Sequence, residues 1–257
     1  MKKIKFLLGL ALIGGVLTSC APETIPADSD STPDGKYTVN YSVQVRAIGN
    51  VSRGLSGASV TVQTQNGVTT KSVDANGIAV FEGLNAGSIS GYVSAPGYAA
   101  INFTAYCAPQ HQDVNTNGYV SSVVYLPAMN AGANGRIYGD FDQDGNTMLT
   151  DPDNFRATDI FVKYGVGMGY PMGAGDGALT SVSLDYNTWA FTTNSNGTFA
   201  LADLPNTDMG YFMAQLRMQD FVYTDPVTSS QTIINIGNVN MNLQPGETAE
   251  MADIYAF

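Results

Sequence analysis

The chain has 257 residues, with 11 Lys and Arg against 22 Asp and Glu, a formal charge of −11. That balance excludes a nucleic-acid partner held through phosphate contacts and gives no electrostatic reason to adhere to anionic lipid. Two cysteines, Cys20 and Cys107, are too few for a disulfide framework or a cysteine-built metal cluster.

The opening "MKKIKFLLGLALIGGVLTSC" places Lys2, Lys3 and Lys5 ahead of an apolar core at 6–16, too short to cross a bilayer. Leu17-Thr18-Ser19-Cys20 resembles the bacterial lipobox, which implies removal of residues 1–19 and lipidation of Cys20. The alternative is an ordinary secretory signal with a chance cysteine. On the first reading eight basic residues face 22 acids in the mature chain, a formal charge of −14. The Cys20 lipid is then the membrane attachment, on the outer membrane and facing either the periplasm or the cell surface. Residues 20–36 hold three prolines with Ser, Thr and acids and almost nothing to bury, so they read as a flexible tether. The acids of 28–30 resemble the surface-export signals of Bacteroidetes lipoproteins, and Asp30-Ser31-Thr32 resembles an O-glycosylation motif of that phylum.

From Tyr37 the apolar residues alternate. "YTVNYSVQVRAI" sets Tyr37, Val39, Tyr41, Val43 and Val45 on one face of a half-buried strand. Turn signals then recur at short spacing, among them Asn66-Gly67, Asn76-Gly77, Pro96-Gly97 and Asn117-Gly118. Between them lie strand-length runs such as "ASVTVQT", "SISGYVSA", "AAINFTAY" and "YVSSVVYL". No helical period follows the leader. The small-residue run at 129–134 reads as a linker, after which "GRIYGD", "TDIFVKYG", "TWAFTT" and "MGYFMAQLRM" resume the alternation. The expectation is an all-β chain of two tandem Ig-like or transthyretin-like sandwiches, at 37–128 and 135–257.

Residues 72–84, "SVDANGIAVFEGL", align without gaps on 192–204, "TTNSNGTFALADL". In each an Asn-Gly turn leads into an alternating strand closed by a Leu. The stretch "GLSGASVTV…VDANGIAVFEGLNAGSISGYVSAPGY" resembles the carboxypeptidase regulatory-like sandwich. "GRIYGDFDQDGN…TDIFVKY…TTNSNGTFALADLPN…YFMAQL" resembles the Cna-B-type repeats of bacterial surface adhesins. The sequence departs from that pattern at 204–209 and in an insertion at 166–177. No Lys and acid pair is placeable for the isopeptide bond that some Cna-B repeats form.

In "GDFDQDGNTMLTD" Asp140, Asp142 and Asp144 alternate ahead of Gly145. Calcium takes about six to eight oxygen ligands, and such a run supplies carboxylates around a glycine turn. Asp140, Asp142 and Asp144 would fill the first, third and fifth loop positions, the Asn146 carbonyl the seventh and Asp151 the twelfth. Asp in place of a bidentate Glu there weakens the site or passes the role to Asp153. Flanking strands exclude an EF-hand, and the stretch resembles the calcium loop between the first two strands of Cna-B-like repeats. The competing reading is an acidic, solvated turn.

Other chemistry is sparse. His111 is the one histidine and has no second imidazole for zinc. Cys107 reads as a small buried residue at a strand end. No nucleophile elbow, phosphate loop or dinucleotide fingerprint occurs, and no enzyme activity is expected. Met168, Tyr170 and Met172 in the glycine-rich insertion, with Tyr186 and Trp189, form a candidate binding loop; the alternative is that the strand aromatics fill the core.

The leading function is a non-catalytic envelope or surface lipoprotein acting as a binding, adhesion or assembly module toward a protein or glycan partner, its second domain stabilised by calcium. One alternative resembles the lipoprotein pilins of Bacteroidetes, with cleavage after Arg46 or Arg53 followed by strand exchange. Another is an accessory of glycan capture or secretion machinery.

Overall fold

A computed structural model describes residues 38–50, 52–64, 67–107, 118–167, 169–171, 179–185 and 188–257. The leader, Cys20, the tether, Tyr37 and His111 lie outside them. Among the described residues no helix is long and apolar enough to cross a membrane. The fold is all-β, built from two sandwiches of the same plan.

In the first sandwich, β1 (Thr38–Ala47) is the middle strand of a three-stranded sheet, antiparallel to β4 (Ile78–Asn85) and parallel to β7 (Gly118–Leu126). Its alternation does what the sequence demands: Val39, Tyr41, Val43 and Val45 are fully buried. Facing it are β3 (Gly67–Ser72), β2 (Ser59–Thr64), β5 (Gly87–Ser94) and β6 (Ile101–Cys107), paired in that order.

The second sandwich repeats this plan. Here β8 (Met129–Gly139) is central, antiparallel to β12 (Thr198–Pro205) and parallel to both β17 (Thr248–Glu250) and β18 (Ile254–Ala256). The opposing sheet runs β11 (Thr188–Thr192), β9 (Asp159–Val166), β13 (Phe212–Met218), β16 (Val239–Met241). A hairpin of β14 (Phe221–Thr224) and β15 (Gln231–Ile234) is added between β13 and β16. The C-terminal strand is therefore the counterpart of β7.

The internal repeat is real at the level of individual bonds. Asp74 N donates to Ile78 O and Gly77 N to Asp74 O, at 2.8 and 3.0 Å; Asn194 and Gly197 repeat this at 2.8 and 2.9 Å. Both turn glycines have positive φ, +75° and +74°. Each turn carbonyl then accepts from the central strand, Gly77 from Val45 N (2.8 Å) and Gly197 from Ile137 N (2.9 Å). A Cβ on Gly197 would sit 2.0 Å from Ile137 O, so the close approach as well as the positive φ demands glycine.

Two features differ from the sequence reading. The run at 129–134, expected as a linker, is the first half of β8, with Ala131 and Ala133 buried. Its residues are small because the neighbouring strand presses on them: a Cβ on Gly132 would lie 2.6 Å from Leu201 O, and one on Gly135 would lie 2.5 Å from the Phe199 ring. Close packing, not chain flexibility, selects small side chains there. Second, the chain leaves β9 and returns at β11 only after forming β10 (Leu179–Leu184), which pairs antiparallel with β6 of the first sandwich. The two halves share a five-stranded sheet and one continuous apolar core.

Tyr170, on the way to β10, secures this crossover. It is buried, and its hydroxyl donates to Tyr125 O (3.0 Å) and accepts from Tyr125 N (3.1 Å), standing in for a neighbouring strand along the open side of β7. Its ring meets Tyr125 and Phe212 edge-on, at 6.4 and 5.7 Å between centroids, bridging the two sandwiches. Tyr170→Phe keeps the ring and leaves a buried N–H and C=O unpaired, so it should cost about 1–3 kcal/mol. Calorimetry on the full chain should show a single transition for both sandwiches, shifted down in the variant; two separate transitions in the wild type would contradict the shared core.

Candidate metal site

The acidic loop leaves the end of β8, whose last residue Gly139 is buried, and reaches β9 at Asp159. Its hold on the sandwich is Phe141, a buried ring between half-buried Asp140 and exposed Asp142. Phe141 packs edge-on against Phe221 of β14 at 5.5 Å, and the Arg156 guanidinium lies 3.8 Å from the centroid of the Phe221 ring. With Phe141 anchored inward, alternation turns Asp140 and Asp142 away from the core.

The backbone then wraps around Asp140. Its carboxylate accepts from Asp144 N (3.0 Å) and Gly145 N (2.9 Å), and its carbonyl accepts from Gln143 Nε2 (2.8 Å). Gln143 and Gly145 take positive φ, +60° and +84°, and the curl brings the Asp140, Asp142 and Asp144 carboxylates within 4.8 Å of one another. Loss of hydration, then the Asp144 charge and the contact with Asp140, push the Asp142 carboxyl above the ordinary carboxylate range. Each Asp140 oxygen is occupied by one amide N–H and keeps a lone pair for a cation.

The remaining expected ligands are placed differently. Asn146 Oδ1 accepts from Met148 N (3.1 Å) and its Nδ2 donates to Asp151. Asp151 caps the 3-10 turn Pro152–Asn154 by accepting from Asp153 N (3.1 Å), and Asp153 sits in that turn, exposed. Neither Asp151 nor Asp153 joins the three clustered carboxylates. Asn154, not singled out by sequence, is buried beside the loop; its Nδ2 donates to Met148 O (3.0 Å) and its Oδ1 has no protein partner. Only its place directly after Pro152-Asp153 could have suggested a role.

The expected binding loop is corrected at Tyr170. Tyr170 is a core residue tying the sandwiches together, and Trp189 is half-buried, packed edge-on against buried Tyr164 at 5.0 Å. Burial of hydrophobic area outweighs exposure at Tyr170. Met168, Met172 and Tyr186 lie outside the described residues. Arg46 is half-buried within β1 and donates to Gln44 Oε1 (2.8 Å), whereas Arg53 is exposed in the connection to β2.

Cys107 ends β6 fully buried, and burial pushes its thiol up to about 11. At pH 8 iodoacetamide should leave Cys107 unmodified in the folded chain and alkylate it fully in denaturant, read by intact mass; rapid native modification would place it at the surface.

No family model and no curated protein matches the sequence. Solved structures similar to the chain include the Bacillus anthracis TIE protein, at 13% identity over 84% of this chain and 34% of that one, TM-score 0.31. The minor pilin GBS52 of Streptococcus agalactiae aligns at 11% identity over 85% of this chain and 95% of its own, TM-score 0.36. The major pilin SpaD of Corynebacterium diphtheriae aligns at 14% identity over 79% and 65%, TM-score 0.31. This chain spans about a third of the length of the first of these. Alignments this loose carry no argument about activity or partner.

Proposed function

We propose that the chain is a non-catalytic envelope lipoprotein, anchored through Cys20, whose two fused sandwiches act as a surface binding or adhesion module, with calcium bound in the loop after β8. The observation that carries the metal reading is the convergence of Asp140, Asp142 and Asp144 in a loop whose backbone is already curled and whose Phe141 is anchored. Three neighbouring carboxylates repel one another at neutral pH, and a divalent cation relieves that repulsion. Calcium would stiffen the exposed end of the second sandwich and perform no chemistry there.

The sign of the pH effect follows from Asp142. Its folded pKa is raised above the ordinary 3.8, so its protonation favours the fold at low pH, and that contribution is lost as pH rises through the folded pKa. Above that range the ionised cluster is a cost, and calcium should bind most tightly there. At pH 7 and a hundredfold excess over Kd, calcium should stabilise the chain by about 2.7 kcal/mol. Asp142→Asn with Asp144→Asn should abolish the calcium-dependent shift in Tm; an unchanged shift would remove the metal reading.

The fimbrial reading keeps one specific support. β1 is a central strand whose departure would uncover the edges of both β4 and β7, and a protease acting on the folded chain reaches Arg53 before the half-buried Arg46. Native mass spectrometry of the protein extracted from its own membrane, with and without chelator, separates the two. An acylated monomer beginning at Cys20 that loses calcium on chelation supports the anchored module. A chain beginning at Gly54 and running as a ladder of oligomers would replace it with the fimbrial reading.

A further inference from the structure

The outward face of the five-stranded sheet has an unusual chemistry for so acidic a chain. Along β2, β5 and β6 the inward Val62, Ile89 and Ile101 alternate with outward Thr61, Gln63, Ser90, Tyr92, Asn102 and Thr104, all exposed or half-buried. Among the described residues, the outward positions of these three strands carry hydroxyl and amide groups and no acid or base. The acid at the rim, Asp185, accepts from Asn102 Nδ2 at 3.3 Å. The equivalent face of the second sandwich, on β9 and β13, exposes Asp159, Lys163 and Arg217. Two sheets of one plan thus present one charged face and one neutral face, and simple solvation does not require the difference.

The neutral face also has relief. Thr61, Gln63, Val68, Ser90, Tyr92 and Asn102 border a depression of about 140 Å³ over the backbone of Gly91, whose own Cβ position faces the buried Phe103 ring. Hydroxyls and carboxamides each donate and accept, which matches a polyhydroxyl ligand whose every oxygen does the same. Tyr92 adds a ring suited to the C–H face of a sugar. The strands repeat these groups every ~4.8 Å across the sheet, close to the width of a sugar ring. Charge selects among ligands: the chain's net −11 repels a polyanion, and the face supplies no ionic partner for a cation. A protein partner would need an apolar centre that Val68 alone does not make.

We propose that this face binds a neutral glycan, stacked on Tyr92 and hydrogen-bonded by Gln63, Asn102 and Thr61. The proposal rests on the binding-module reading above and names its ligand class. The test is affinity electrophoresis and calorimetric titration of the full chain against neutral mannan, β-glucan, xylan and arabinogalactan, with polygalacturonate as the anionic counterpart. At least one neutral polymer should retard the chain while polygalacturonate does not. Tyr92→Ala should weaken that binding at least tenfold, and Lys163→Ala on the charged face should leave it unchanged. If Tyr92→Ala fails to melt cooperatively, Gln63→Ala with Asn102→Ala provides the same test at the rim and should give the same tenfold loss. Retardation by none of the neutral polymers, preference for polygalacturonate, or wild-type affinity in the folded variants would overturn the proposal. Such a failure leaves an acylated, calcium-binding monomer in native mass spectrometry intact as a module with another ligand, whereas an oligomer ladder there would remove the module reading itself.

Discussion

Each sandwich is organised around a central strand whose inward face is apolar and whose edge is locked by a turn glycine. In β1 this is the bond from Val45 N to Gly77 O, and in β8 the bond from Ile137 N to Gly197 O. The glycine can make it because positive φ swings its carbonyl toward the strand and because hydrogen, not carbon, faces the neighbouring backbone. Once that contact is made, the register of β4 on β1 and of β12 on β8 follows, and with it which residues are buried. Tyr41, Phe81, Ile137 and Leu201 reach the core through this register.

The crossover at β10 turns two repeats into one body. β10, which the second sandwich sends out between β9 and β11, satisfies the edge of β6, removing an exposed row of backbone groups from the first sandwich. Tyr170 does a similar service for β7 with one hydroxyl. The consequence for function is geometric: the acidic loop of the second sandwich and the neutral face of the first belong to a common framework, so ordering at one end is not lost in a hinge before it reaches the other.

Electrostatics is partitioned over this framework. Acids cluster where a loop projects beyond the sheets, with Arg156 beneath them stacked on Phe221 rather than paired to a carboxylate in the triad. Arg136 instead forms a two-point ion pair with Asp253, at 3.1 and 2.6 Å, which fastens the approach to β18 onto β8. Arg136 and Arg156 are thereby committed to structural contacts, and neither is paired with a carboxylate of the triad.

The strands, the duplicated turns and the acidic loop are legible along the chain, because each is a local property. Period-two alternation dictates which face is buried, an Asn-Gly dictates positive φ, and three aspartates two residues apart with a glycine after them mark an acidic turn, whose curl around Asp140 is seen only in the structure. Tertiary structure alone decided which strand pairs with which. Nothing within "LTSVSL" says that its partner lies some 80 residues earlier on β6. Small residues at 129–135 look alike whether they loosen a linker or admit a tightly packed strand, and the difference lies in Leu201 and Phe199, far along the chain. Tyr170 and Trp189 have the composition of a ligand-binding surface; the arrival of Tyr125 and Phe212 made Tyr170 core, and Tyr164 drew Trp189 partly against it. Asp151 and Asp153 share the loop's charge, yet the 3-10 turn begun at Pro152 claims the Asp151 carboxylate as its cap, since an unpaired amide at a turn's start is satisfied by the nearest carboxylate.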